Sequence, residues 1–348
     1  QKADFVLYGG ITRNVWFEIL PPDYINKMLI STPEVSKSSA ENEVKLQLNC
    51  SGQTKINRLV ISVKDKSDSV VSEAVKKISP ETGENNLEIE LPDIDNPILW
   101  SPSNPYLYTV EASLYKDSIL VDQKTDKIGY RWYEFKKHGA FYLNGERLLL
   151  RGTHRHEELA GLGNALPDFL QHEDMKMIKE MGANFVRLAH YPQAPEVYRA
   201  CDELGLLVWD ENPWCRGGVG PAEWKQNTEK IFREMITQNY NHPSIIIWSI
   251  GNECDWLPDF DNGGNPDSLK AFAEHLNNIA KELDPGRLTA SRYFPEAEDV
   301  VDVYSPSIWS GWYSDLYTNY EQIIKDAWDK YPRLFHAEYG GDSHPGRH

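Results

Sequence analysis

The sequence predicts two unlike folds in one chain, an antiparallel β-sandwich of immunoglobulin type over 21–130 followed by a parallel (β/α)8 barrel over 131–348. Three observations carry this. Between about 21 and 128, short segments alternate apolar and polar residues and are divided by turn residues, the rhythm of half-buried strands. From Tyr142 onward strands alternate with amphipathic helices, as in a parallel sheet with crossover helices. At the heart of the second part stands NHPSIIIWSIGNE, 241–253. Its β-branched run, bounded by turn residues, reads as a strand buried on both faces.

Residues 5–20 read as the tail of a preceding domain. In the sandwich, strands are expected at 44–50, 58–64, 86–91, 107–115 and 118–125, separated by turns such as Glu81-Thr82-Gly83 and Pro102-Ser103-Asn104-Pro105. No Cys…Trp…Cys core is present. Ile98-Leu99-Trp100 is expected to anchor the sandwich core, and nothing here suggests chemistry. A hairpin turn at Tyr142-Leu143-Asn144-Gly145 hands over to the barrel. Barrel strands are expected at 147–151, 183–189, 206–209, 244–250, 288–291, 300–304 and 333–337. The helices between them are expected at 168–181, 195–204, 222–240, 268–283 and 320–329. That makes seven strands, so the barrel is expected to lack its last strand. An open seam would leave strand edges unpaired, and the expectation is that a longer native chain completes it.

Composition narrows the function. The 348 residues carry 36 Lys+Arg against 53 Asp+Glu, a net charge of −17. An acidic surface argues against nucleic acid or an anionic membrane as partner, and no apolar run is long enough to span a bilayer. Aromatic residues make up 11% of the chain, enough for a large core and for faces that stack on sugar rings. Cys50, Cys201, Cys215 and Cys254 show no paired spacing, so neither a zinc site nor a disulfide framework is indicated. The chain opens at Gln1 without a signal peptide, as a fragment or processed chain would. A periplasmic or secreted setting is the expectation, and self-association stays open.

Polar residues gather where the barrel strands end, the rim on which such barrels carry their chemistry. His154, Arg155, His156 and Glu157 follow the first strand and His190-Tyr191 the second. Asp210-Glu211-Asn212 follows the third, Asn252-Glu253 the fourth, Trp309 and Trp312 the sixth, and Glu338-Tyr339 the seventh. Glu253 and Glu338, on strands four and seven, would face each other across the mouth. Opposed carboxylates without a phosphate loop, metal motif or Ser-His pair point to glycoside hydrolysis, one carboxyl as proton donor and the other as nucleophile. Asn252 is placed to bond a sugar 2-hydroxyl. Two rivals stand beside this reading. A metal-dependent hydrolase could use His154-x-His156 with His190, although strands four and seven add no further histidine. A non-catalytic sugar-binding protein would keep the aromatics but has no need of two opposed carboxylates.

The motifs together resemble glycoside hydrolase family 2, the family of β-galactosidases, β-glucuronidases and β-mannosidases. YGGITRNVWFE is similar to the end of its N-terminal jelly-roll domain, which would make residues 1–20 a remnant of that domain. ILWSPSNPYLYTV is similar to its immunoglobulin-like domain. LLLRGTHRHE, FVRLAHYP, LLVWDE, NHPSIIIWSIGNE and LFHAEYG follow in the family's order. The resemblance implies a retaining exo-β-glycosidase acting on a β-linked oligosaccharide, polysaccharide or other β-glycoside, with Glu253 as acid/base and Glu338 as nucleophile. It implies that His156, His190 and Asn252 contact the terminal sugar, and Asp210, Glu211, Trp309 and Tyr304 complete the expected binding set. No cofactor is implied. The strand-three loop, DENPWCRGG, has Cys215 and Gly217 where many β-galactosidases hold magnesium, so no metal site is expected there. The tyrosine that commonly braces the nucleophile has candidates in Tyr304, Trp309 and Tyr313. The HRHE and RxxHYP contexts favour β-galactosidase, with β-glucuronidase and β-mannosidase as alternatives.

Overall fold

The computed structural model describes residues 5–341, so the end of the YGGDSHPGRH segment lies outside the described residues. The first part is a sandwich of two antiparallel sheets. One has the order β1-β2-β5, from β1 (Asp23–Ser31), β2 (Ser39–Cys50) and β5 (Gly83–Asp95). The other has the order β4-β3-β6-β7, from β3 (Arg58–Lys64), β4 (Val70–Lys77), β6 (Tyr108–Lys116) and β7 (Ile119–Ile128). β2 buries Ala40, Val44, Leu46 and Leu48 on one face and β3 buries Leu59, Ile61 and Val63 on the other, as alternation dictates. The sequence pattern missed β1 and β4. β4 keeps only Ser72 and Ala74 buried, too little contrast for an alternating signal.

A small antiparallel sheet joins the parts: β8 (Tyr133–Phe135), β9 (Phe141–Leu143) and β10 (Glu146–Arg147). The two-residue turn between β9 and β10 has Asn144 and Gly145 at φ 54° and 82°, the left-handed pair that Asn-Gly hairpins supply. The first barrel strand, expected at 147–151, lies instead at β11 (Gly152–Arg155), because Glu146 and Arg147 are committed to the hairpin. Parallel strands then follow in spatial order: β12 (Phe185–Leu188), β13 (Leu207–Glu211), β14 (Ile245–Asn252), β15 (Leu288–Arg292) and β16 (Val303–Ser305). The helices are α1 (Asp168–Glu180), α2 (Pro195–Leu204), α3 (Ala222–Gln238), α4 (Pro266–Leu283) and α5 (Tyr320–Lys330). The expected seventh strand runs beside β16 through parallel bridges from Tyr304 to Leu334 and from Ile308 to Tyr339, not as a continuous ladder.

The sheet separates two cores. Phe185, Leu207, Trp209, Ile247, Ala290 and Val303 pack on its inner face, while Val186, Leu188, Val208, Trp248 and Ile250 pack outward with the helices. Trp100, expected in the sandwich core, belongs to the inner barrel cluster. It is fully buried, and its indole donates to the Asp202 carbonyl at 2.9 Å, so it closes the barrel floor and ties the two parts together. Arg131 adds a second tie, donating to the carbonyls of Pro243 and Ile245.

Candidate active site

Period-two alternation sets the site. On three strands of the parallel sheet, β12, β13 and β15, an apolar inner residue is followed two positions later by a charged one on the same face: Phe185 then Arg187, Trp209 then Glu211, Ala290 then Arg292. The inner face therefore changes from packed core to charge over one step, about 6–7 Å along each strand. Arg187 and Arg292 are each 1% exposed. Charges this deep must be paired.

Arg187 ties the cluster together. It donates to both oxygens of Glu211 at 2.9 Å, to Glu338 Oε1 at 2.6 Å and to Asn252 Oδ1 at 2.8 Å. Glu211 also accepts from the Trp209 indole and lies 2.7 Å from Nδ1 of His190. A carboxylate only accepts, whereas the Arg187 guanidinium, 3.2 Å from the same nitrogen, only donates; the shorter contact, to Glu211, places the imidazole proton on Nδ1. Burial pushes the Glu211 carboxyl upward, but Arg187 and His190 outweigh it and bring it down to about 2. Glu338 follows the same logic: burial raises it, and Arg187 and Arg292 hold it below the usual carboxylate range. A carboxylate fixed in its ionised form is what a nucleophile requires.

Glu253 follows the last residue of β14, with φ at 51°. Its amide donates to the Arg292 carbonyl at 3.0 Å, and its carboxylate meets Arg216 Nε at 2.7 Å and Arg292 Nη1 at 2.6 Å. Arg292 also forms an ion pair with Glu338, so one guanidinium touches both candidate catalytic carboxylates. Trp309 lies across it, the guanidinium carbon 4.8 Å from the ring centroid.

His156 completes the near wall. Its ring meets that of His190 edge-on at 5.2 Å, and Phe5 covers both at 5.1 and 5.8 Å. Burial, reinforced by His190 and His154, brings the His156 imidazole down to about 4, so it is neutral at physiological pH. Its Nδ1 is buried without a hydrogen-bond partner among the described residues, an unmet valence of the kind that calls for an explanation.

Of the expected residues, Glu253, Glu338, Asn252, Glu211, His190, His156 and Trp309 come together. Two do not. Asp210 points to the outer face, where its carboxylate accepts from Tyr198 at 3.0 Å and Asn239 at 3.2 Å; alternation with Glu211 requires this. Tyr304 likewise points outward, its hydroxyl accepting from the Phe294 amide and its ring 4.7 Å from Tyr331. Trp312 and Tyr313 sit farther out, 38% and 75% exposed. Sequence reasoning gave no role to Arg187, Arg292, Arg216 or Phe5. The first two had a visible signal, a cation inside an otherwise buried strand. Arg216 and Phe5 lie in loop and arm, where no periodicity speaks. Among the described residues no group of three His, Cys, Asp or Glu side chains is arranged to hold a metal ion. No helix there is long and apolar enough to cross a membrane.

Comparisons with known proteins identify the family. The family model described as "Glycosyl hydrolases family 2, TIM barrel domain" matches residues 134–348, and "Glycosyl hydrolases family 2" matches 24–131. The chain belongs to glycosyl hydrolase family 2. A Formosa agariphila protein with a provisional β-glucuronidase name is 51% identical over 100% of the chain and 42% of its own length. A β-galactosidase of Thermoanaerobacter pseudethanolicus is 34% identical over 99% of the chain and 43% of its own length. The solved β-glucuronidase of Parabacteroides merdae superposes with a TM-score of 0.92 at 39% identity, covering 99% of this chain and 44% of that one. The chain thus spans somewhat under half the length of these relatives.

Proposed function

We propose that the protein is a retaining β-glycosidase removing a terminal β-linked sugar, with Glu338 as nucleophile and Glu253 as acid/base. The observation that carries this is the Arg292 guanidinium in contact with both carboxylates, which gathers them at one place on the rim. In the first step Glu253 gives its proton to the glycosidic oxygen while Glu338 attacks the anomeric carbon, releasing the aglycone and leaving a glycosyl ester. In the second, Glu253 takes a proton from water, whose oxygen displaces Glu338 and frees the sugar. Asn252, His156 and His190 bond the sugar hydroxyls, Trp309 flanks the site, and Glu211 acts through Arg187.

For the sugar, a β-glucuronide is the reading with most support. The relative with a β-glucuronidase name matches at 51% identity, and the solved β-glucuronidase of Parabacteroides merdae superposes at 39% identity. A β-galactoside is the second reading, supported by the β-galactosidase relative at 34%. Aryl β-glucuronide, β-galactoside and β-mannoside offered to the full-length protein separate them. The glucuronide is expected to give the highest kcat/KM, and a preference for the galactoside would overturn that choice.

A further inference from the structure

The nucleophile's expected brace was a tyrosine, yet Tyr304 faces outward and Tyr313 lies outside the cluster. The position beside Glu338 is held by an arginine instead. Arg292 stands at the end of β15, paired in register with Asn252. Its Nη1 lies 2.6 Å from Glu253 and donates to Asn252 Oδ1 at 3.2 Å, and its other terminal nitrogen forms the ion pair with Glu338. That second contact is a close charge pair without an aligned hydrogen bond, and Nε has no partner among the described residues. Its side chain is 1% exposed, lying under Trp309. Even its backbone serves the site, since the Arg292 carbonyl accepts from the Glu253 amide. The other charged or titratable groups facing Glu338 among the described residues are Arg187 on β12, His190 just beyond that strand and His154 on β11. Arg216 faces Glu253 from the loop after β13.

We propose that Arg292 is a positioning residue for both catalytic steps, a single cation that spans nucleophile and acid/base and replaces the tyrosine brace. The inference rests on the roles assigned above to Glu253 and Glu338. Its physical basis is charge conservation. Before the first step Glu338 is ionised and Glu253 carries the proton. After it, Glu338 is a neutral ester and Glu253 is ionised. The second step reverses the transfer. The pair therefore holds one negative charge throughout, and the charge moves from one carboxyl to the other and back. A hydroxyl on the nucleophile can favour only one end of that path. A guanidinium with one terminal nitrogen on each carboxyl meets the charge at both ends without moving, as preorganised electrostatics require.

The test uses the full-length protein with Arg292→Met and Arg292→Lys, an aryl glycoside that the wild type turns over, and the matching 2-fluoro glycoside. Trapping of wild type at Glu338 reports on the underlying roles; if it fails, those roles fail first. Given trapping, Arg292→Met is expected to lower kcat/KM by roughly 10²–10³-fold, the usual loss for one oriented charge-stabilising donor, and to move the acid limb of its pH profile to higher pH. Arg292→Lys keeps the charge, so it should fold even where the Met variant does not, and should return the acid limb toward wild type. One nitrogen cannot span both carboxyls, so it should slow glycosylation (kcat/KM) and release of the trapped sugar by similar factors, about tenfold or more. A Lys variant with wild-type rates in both steps, or one impaired in a single step only, would overturn the proposal.

Discussion

Asp210 and Glu211 are neighbours on one strand, both fully buried, and they end in opposite electrostatic states. Glu211 faces the barrel interior, where Arg187 and His190 bring its carboxyl down to about 2. Asp210 faces the helices, where burial pushes its carboxyl up to about 7 against the hydrogen bonds of Tyr198 and Asn239. The difference is the charge of the partners. The Arg187 guanidinium beside Glu211 is a full cation and outweighs desolvation, whereas the neutral donors beside Asp210 offset only part of it. The inner rim of this barrel is therefore a matched array of buried charges, while the outer face is ordinary core that happens to contain a carboxyl.

The sharpest way to break that contrast is to remove the inner cation. Arg187→Met leaves Glu211 and Glu338 facing each other without their shared partner. It should destabilise the fold by about 3–5 kcal/mol and abolish turnover, with denaturant titration and an aryl glycoside assay as the measurements. A stable, active variant would show that the inner array is not interdependent.

His156→Ala sharpens the contrast differently. Its buried Nδ1 has no hydrogen-bond partner among the described residues, so the melting temperature should change little. Transition-state stabilisation should fall by roughly 2–4 kcal/mol through a lost contact to the sugar. A large fall in melting temperature with unchanged kcat/KM would make the imidazole structural.

The two carboxyls should also leave opposite marks on stability against pH. Glu211 has a folded value below its unfolded one. Its contribution is present above the unfolded value, about 4.5, and is lost as pH falls toward about 2. Asp210 has a folded value above its unfolded one, so the folded state holds the extra proton. Stability from this group is greatest below about 3.8 and is lost as pH rises through about 7. Asp210→Asn should therefore gain on wild type in stability as pH rises from 5 to 8, and Glu211→Gln should lose ground over pH 2 to 4.5. Denaturant midpoints across pH measure both, and a reversed trend for either would contradict the assignment.

The smallest expected effect is that of exhaustive chelation, which should leave the rate unchanged. Loss of activity restored by zinc would revive a metal role for His154, His156 and His190.

Much of the architecture was legible because alternation in β2 and β3, and the helix–strand rhythm after Tyr142, are signals of period alone. β4 was not, since its strand buries too few side chains to alternate. Within the candidate site, the place of Glu253 and Glu338 at strand ends was legible. Asp210 was misplaced because a run of three polar residues does not say which one turns inward; only the register of Trp209 decides that. Trp100 read as sandwich core because its sequence neighbours are, whereas the cluster it joins and the Asp202 carbonyl it bonds come from far along the chain. The bridging of Glu253 and Glu338 by Arg292 was invisible for the same reason. Three strands had to meet before one side chain could touch both.

The most direct test of the central claim, that Glu338 is the nucleophile of the pair, is to trap the glycosyl-enzyme with a 2-fluoro glycoside and map the label by peptide mass spectrometry. The label should fall on the peptide containing His336-Ala337-Glu338-Tyr339, with first-formed product of retained configuration. A label on Glu253, or product first formed with inverted configuration, would contradict the account.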